Sequence, residues 1–314
     1  MRAGIQISAL ILALVLATSC PEALAADALP LEGTAWWGWP LALFAVCFVI
    51  GIIAVPAGVG GGVLFVPIVA GFFPFHLDFV RGAGLLVALS GALAAGPNLL
   101  RAGLANIRLA LPLSLAASTS SIAGALIGLA LPAAALQLAL GAVILAMAVV
   151  MATMKGADTR AAGNPDRLSV ALRMHGVFRD ASEGREIAWH ARRTPLGIAL
   201  FVLIGILAGM FGLGAGWANV ATLNLVMGIP LKVCAGTSGL ILTLVDSTAA
   251  WVYLNRGAVL PLIAAPSIIG MMLGARIGSR VLQLAPAKQV RRLVVILLLV
   301  AGLRALAKGS GLWI

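Results

Sequence analysis

The stretch Ala57-Gly58-Val59-Gly60-Gly61-Gly62 returns 154 positions later as Phe211-Gly212-Leu213-Gly214-Ala215-Gly216. The same offset, without a gap, pairs Gly51 with Gly205, Gly82 with Gly236, Gly103 with Gly257, Pro112 with Pro266, Gly124 with Gly278 and Pro132 with Pro286. Glycine and proline punctuate backbone conformation, so a shared spacing of both implies a shared structural plan. The chain is expected to hold two copies of one unit, over about 51–150 and 205–304.

The solvent of that unit follows from composition. With 62% hydrophobic and 10% charged residues over 314 positions, there is more apolar side chain than one water-soluble core can hide. Runs suited to crossing about 30 Å of hydrocarbon lie near 39–57, 82–100, 109–130 and 134–153, and again near 196–211, 235–253, 258–280 and 290–306. A shorter apolar piece follows each glycine stretch, at 63–73 and 217–228. The expected fold is an all-α polytopic membrane protein of about eight main transmembrane helices in two repeats. Each repeat opens with a helical hairpin broken at glycine.

The ends and the middle of the chain differ from the spans. Arg2, the apolar run Ile7 to Ala17 and Ala23-Leu24-Ala25 have the pattern of a secretory signal, and residues 1–25 are either that or an additional span. Trp36, Trp37 and Trp39 then form an interfacial anchor. Repeat 1 occupies 39–154, a polar linker 155–194 and repeat 2 195–314. The linker carries eight basic and five acidic residues, with His175, His190 and Trp189, and reads as a solvated connection, with a regulatory or partner-binding role as the alternative.

The net charge of +11 lies between apolar spans, where topology accounts for it without a nucleic-acid partner. With the linker in the cytoplasm, fifteen Lys and Arg face inward and four outward. That scheme makes the repeats inverted, because the span after the first glycine tip runs inward and its counterpart outward. A homodimer is compatible with the sequence. Cys20, Cys47 and Cys234 have neither metal-ligand nor disulfide spacing, and neither a metal nor a cofactor is expected.

A turn at membrane depth exposes backbone N–H and C=O groups, each costing several kcal/mol if unsatisfied. Glycine lets such a turn adopt φ > 0 and lets a second backbone or a ligand approach closely. In transporters with inverted repeats, broken helices meet near the midplane with their N-terminal ends toward anionic groups. Gly58, Gly60, Gly61 and Gly62, with Gly212, Gly214 and Gly216, are therefore expected to line an anion site. Neither stretch has the Gly-Lys-Ser/Thr of a nucleotide phosphate loop.

The pattern Gly58-Val-Gly60-Gly-Gly62 followed by Pro67, its copy Gly212-Leu-Gly214-Ala-Gly216, the later Gly236-Thr237-Ser238 and the turn at Gly257 resemble the sulfite exporter TauE/SafE family of membrane transporters. The resemblance spans about 40–305. It implies a multi-pass permease of a bacterial inner membrane, for export or uptake of sulfite, sulfoacetate or other sulfur-containing or organic anions. Ala215 and Trp217, followed by Asn219 and Asn224, depart from the more Gly-rich and aliphatic run of the first copy, which leaves open whether both tips contact substrate equally.

Among polar residues in the spans, Asp246 is the one carboxylate deep in an apolar run. It is a candidate for proton coupling or for a fixed ion pair with Arg276. Arg276 either meets an anion through its forked donors or snorkels to the cytoplasmic interface. Asn98, Asn219, Thr237 and Ser238 are further candidates for contacting substrate. His76, Asp78 and Arg81 cluster in an outer loop where solvation is expected. Export of an anion from a negative interior needs no coupling ion, whereas uptake needs one, for which Asp246 is the obvious carrier. An embedded hydrolase is disfavoured, since all three His lie outside the deep spans.

Overall fold

The computed structural model describes residues 37–57, 60–101, 103–153, 166–179, 186–214, 216–281 and 287–310. The leader, Trp36, Gly58 and Ala215 lie outside these residues, as do the side chains of Asn98, Trp217 and Arg280. The first helices are α1 (Gly38–Ala57), α2 (Gly61–Phe72), α3 (Leu77–Arg101), α4 (Ile107–Ala130) and α5 (Ala133–Thr153). A short α6 (Arg167–Ala171) and strands β1 (His175–Arg179) and β2 (Glu186–His190) follow. The chain then forms α7 (Thr194–Phe211), α8 (Gly216–Ala221) running into a π-helical turn (Thr222–Val226), α9 (Leu231–Asn255), α10 (Pro261–Val281) and α11 (Ala287–Gly309).

The elements recur at the sequence offset: α3, α4 and α5 begin 154 positions before α9, α10 and α11. Packing recurs with them. α1 lies on α10 as α7 lies on α4, and α3 packs on α10 as α9 packs on α4. α2 touches α11 as α8 touches α5, while α3 meets α9 and α5 meets α11. Each leading helix thus packs mainly against the other unit, so the two units are interlocked.

Six of the described helices are long and apolar enough to cross a membrane: α3, α4, α5, α7, α9 and α10. Gly38–Ala54, Gly61–Phe72 and Leu298–Ala307 are shorter apolar segments. The eight main spans expected above are thus six by length and apolarity among the described residues. The first and last of them fall short, and α11 opens with a basic stretch from Lys288 to Arg292.

The seams between leading helices and their partners depend on small residues, because two helices approach closely only where no side chain intervenes. At Gly51 on α1 a Cβ would stand 2.8 Å from the Ala275 nitrogen and the Met271 carbonyl oxygen of α10. Its counterpart Gly205 on α7 meets the Ala117 carbonyl of α4 in the same way.

The linker departs from the solvated connection expected. β1 and β2 pair antiparallel with His175 opposite His190, and Met174, Trp189 and Ala191 are buried in an apolar cluster with Leu109, Phe201 and Met227. Asp166 accepts from the Thr194 N–H at 3.3 Å and from the Thr194 hydroxyl at 2.9 Å, which caps the start of α7. Trp189 brings enough apolar area to dock the hairpin on the helix ends, although most of the linker is polar.

Gly51→Ala is expected to separate α1 from α10 and to cost about 1–3 kcal/mol by overpacking, read as a lower unfolding midpoint in detergent. Gly239→Ala in α9, whose Cβ would meet only Leu99 at 3.9 Å, is expected to be neutral or to stabilise by up to about 1 kcal/mol.

Candidate functional site

The two glycine tips are where each leading helix breaks. α7 stops at Gly212, which is left-handed at φ 66° and donates its N–H to the Ala208 carbonyl at 2.9 Å. Gly214 is again left-handed at φ 60°, and its carbonyl accepts the N–H of Gly216 at 2.9 Å. In the first tip Gly60 takes φ 80° immediately before α2.

The tips meet backbone to backbone inside the protein. A Cβ on Gly62 would lie 2.9 Å from both the Leu213 carbonyl carbon and the Gly84 oxygen, and one on Gly84 would lie 2.6 Å from the Gly212 oxygen. Three chain segments converge there, the third being α3. Around them, a Cβ on Gly60 would approach Leu242 at 3.1 Å, and Gly61 faces the Met271 side chain.

The second tip faces a carboxylate. A Cβ on Gly214 would lie 2.8 Å from the Ala88 methyl and 3.0 and 3.6 Å from the two oxygens of Asp246. Asp246 is fully buried on α9, and neither oxygen has a hydrogen-bond partner among the described residues. The alternative of an ion pair with Arg276 is not realised, since Arg276 is on the exposed side of α10. Thr248, two residues on, instead joins its hydroxyl to Ser121 of α4 at 3.0 Å.

The other sequence candidates divide. Ser238, buried on α9, donates to the Gly216 carbonyl at 3.2 Å and so ties the second tip to α9. Thr237 accepts the Asn106 N–H at 3.2 Å and tethers the connection between α3 and α4. Asn219 is buried on α8, and its Oδ1 has no hydrogen-bond partner among the described residues. Asn224 donates to the Ile229 carbonyl at 2.9 Å and closes the π-helical turn. A small pocket beside the second tip is lined by apolar side chains of α5 and α7 with Leu213 and Ala218, which offer an anion no donor.

Arg81 is not a solvated loop residue. It sits one turn inside α3 and is fully buried. Its Nη1 donates to the Met210 carbonyl at 2.8 Å, its Nη2 pairs with Asp78, and its guanidinium stands 5.6 Å from the centre of the Tyr253 ring. The Tyr253 hydroxyl donates to the Gly209 carbonyl at 3.0 Å and to that of Met210 at 3.3 Å. Both side chains thus satisfy carbonyls left open at the end of α7, directly before Gly212. The three-residue spacing of Asp78 and Arg81, ahead of the apolar run from Gly82, was the available signal for a helical pair.

These features define a class: an α-helical, multi-pass membrane protein whose helices break in pairs and meet inside the bundle. The family model of the sulfite exporter TauE/SafE matches residues 43–305, and the chain belongs to that family. It is similar to the "Probable membrane transporter protein ORF9" of Sinorhizobium sp, 28% identical over 271 residues that cover 84% of this chain and 91% of the relative. It is also similar to the "Probable membrane transporter protein YunE" of Bacillus subtilis (strain 168), 27% identical over 120 residues, 38% of this chain and 44% of that one. No solved structure matches. The protein is a membrane transporter and not an enzyme.

Gly214→Ala puts a methyl at a left-handed position, at about 1–2 kcal/mol, and against Ala88 and Asp246. A lower unfolding midpoint is expected, with partial recovery in Gly214→Ala/Ala88→Gly, which removes the Ala88 contact and leaves the backbone strain.

Proposed function

We propose that this transporter is a permease for a small anion, sulfite, an organosulfonate or a close relative, working by alternating exposure of a site between the two glycine tips. The observation that carries the proposal is the buried backbone contact of Gly62 with Leu213. Broken helices at membrane depth are tolerated where they line a cavity or are buried in protein, and two that touch are poised to part.

The first tip is the better anion seat. α2 runs for twelve residues from Gly61, so its first N–H groups have no intrahelical acceptor and carry the positive end of the helix dipole. α8 has six residues before its π-helical turn and contributes less. Gly60, Gly61 and Gly62 present backbone to the anion, and Gly212, Gly214 and Gly216 form the opposing wall. The inverted arrangement, with α3 running inward and α9 outward and the linker 155–194 in the cytoplasm, rests on the distribution of Lys and Arg between spans.

Because the tips touch, an anion enters only when they separate. Export of a dianion down a potential of 100 mV releases about 4.6 kcal/mol, so it proceeds uncoupled. Asp246 favours a second mode. An unpartnered carboxylate at this depth is neutralised by taking up an ion, and a proton taken up there couples the second tip to a pH gradient.

Proteoliposomes loaded with labelled sulfite, sulfoacetate or sulfate test the proposal under an imposed potential. Potential-driven efflux is expected from the native chain and a loss of at least tenfold from Gly60→Leu/Gly214→Leu. Absence of flux for all three anions in folded protein would remove the substrate assignment. Asp246→Asn keeps the side chain's shape and cannot titrate, so accumulation driven by a pH gradient is expected to vanish while potential-driven exchange remains. Unchanged gradient-driven accumulation in this variant refutes coupling through Asp246.

A further inference from the structure

The buried guanidinium of Arg81 is half used. The Nε and Nη2 groups form one edge of an arginine, the edge that receives two oxygens of a single oxyanion side by side. On that edge Nη2 holds one Asp78 oxygen, and Nε has no hydrogen-bond partner among the described residues. Nη1, on the opposite side, is committed to the Met210 carbonyl. A positive group with no solvent exposure thus presents a two-pronged donor edge engaged at one prong.

The counter-ion on that edge is placed to leave. The Asp78 side chain is 34% exposed, whereas that of Arg81 is 0% exposed. The Asp78 carboxylate also lies 3.6 Å from His76 Nδ1, on a side chain that is 57% exposed. Asp78 can therefore turn outward from the guanidinium, while Arg81 is anchored by Met210 and by the Tyr253 ring. A guanidinium left alone at such burial draws in another anion.

Its location joins it to the site between the tips. Met210 precedes Gly212 and Gly214 by less than two helical turns, Gly212 packs against the Arg81 backbone, and Tyr253 follows Asp246 by two turns on α9.

We propose that Arg81 is a second anion-binding station beside the second tip, held in this arrangement by Asp78 as an internal stand-in, and that a sulfonate-, sulfite- or carboxylate-type anion displaces Asp78 and occupies the Nε/Nη2 edge. The proposal takes from the permease assignment only that the ligand is an anion. An anion arriving from the His76 end is thereby received next to the tip, and Asp78 replaces it when it moves on.

The test is thermal unfolding of the full chain in detergent against rising methanesulfonate or sulfate, with ionic strength held constant by chloride. Asp78→Asn removes the competing charge and keeps the helix. Stabilisation by the oxyanion is expected to set in at concentrations at least tenfold lower in Asp78→Asn than in the native chain, and to be lost in Asp78→Asn/Arg81→Gln. An equal response in native and Asp78→Asn protein overturns the station, as does a response that survives in the double variant. If Asp78→Asn does not fold, Arg81→Lys is compared with the native chain in the same titration. Lysine keeps the charge without the fork, so a weaker oxyanion response supports the station and an equal response overturns it. Binding at Arg81 without flux in proteoliposomes would sink the permease and leave the station, and flux without binding there would do the reverse.

Discussion

Backbone polar groups at membrane depth must find partners, and the two glycine tips are where this chain meets that demand. α7 ends at the left-handed Gly212, and α2 begins at Gly61 after a break at Gly60. At both places amides and carbonyls lose their intrahelical partners. The second tip is repaired by its own N–H bonds to Ala208 and Gly214, by Ser238 donating to Gly216, and by Arg81 and Tyr253 donating to Met210 and Gly209. Remove these and the open carbonyls face apolar side chains with no water to replace the donors.

The same demand explains the interlocking. A break in a leading helix is protected only if other helices surround it, and α3 and α9, which pack against each other, do so. Gly84 and Ala88 of α3 are small enough to admit the second tip, and Leu242 and Asp246 of α9 approach Gly60 and Gly214 in turn. α1 rides on α10 and α7 on α4, so each leading helix is held by the unit it does not belong to.

The two tips are alike in backbone and unlike in charge. Asp246 faces Gly214, whereas the position 154 residues earlier is Ala92. Arg81 stands beside the second tip, and its counterpart is Ala235. The repeat supplies a common scaffold with low strain, and single substitutions on one copy supply the ionisable groups. The ionisable groups beside the second tip thus have no counterpart at the matching positions of the other copy.

Apolar runs, the unbroken offset and the paired glycines were legible in the sequence because each is a local property: hydropathy over a span, or a backbone that only glycine adopts at low cost. They determined a duplicated, helical membrane protein with breaks at Gly60 and Gly212–Gly214. The partners of those breaks were not legible, because they lie on helices distant in the chain. Nothing local states that Leu213 meets Gly62, that Ser238 serves Gly216 and Thr237 the α3–α4 connection, or that Asp246 turns to Gly214 and not to Arg276. Nor does sequence order reveal that Arg81, read as a loop residue beside His76 and Asp78, is buried against Met210 and Tyr253. Only tertiary packing decides which face of a uniformly apolar helix turns inward, since lipid and protein interior are equally apolar and hydropathy cannot tell them apart.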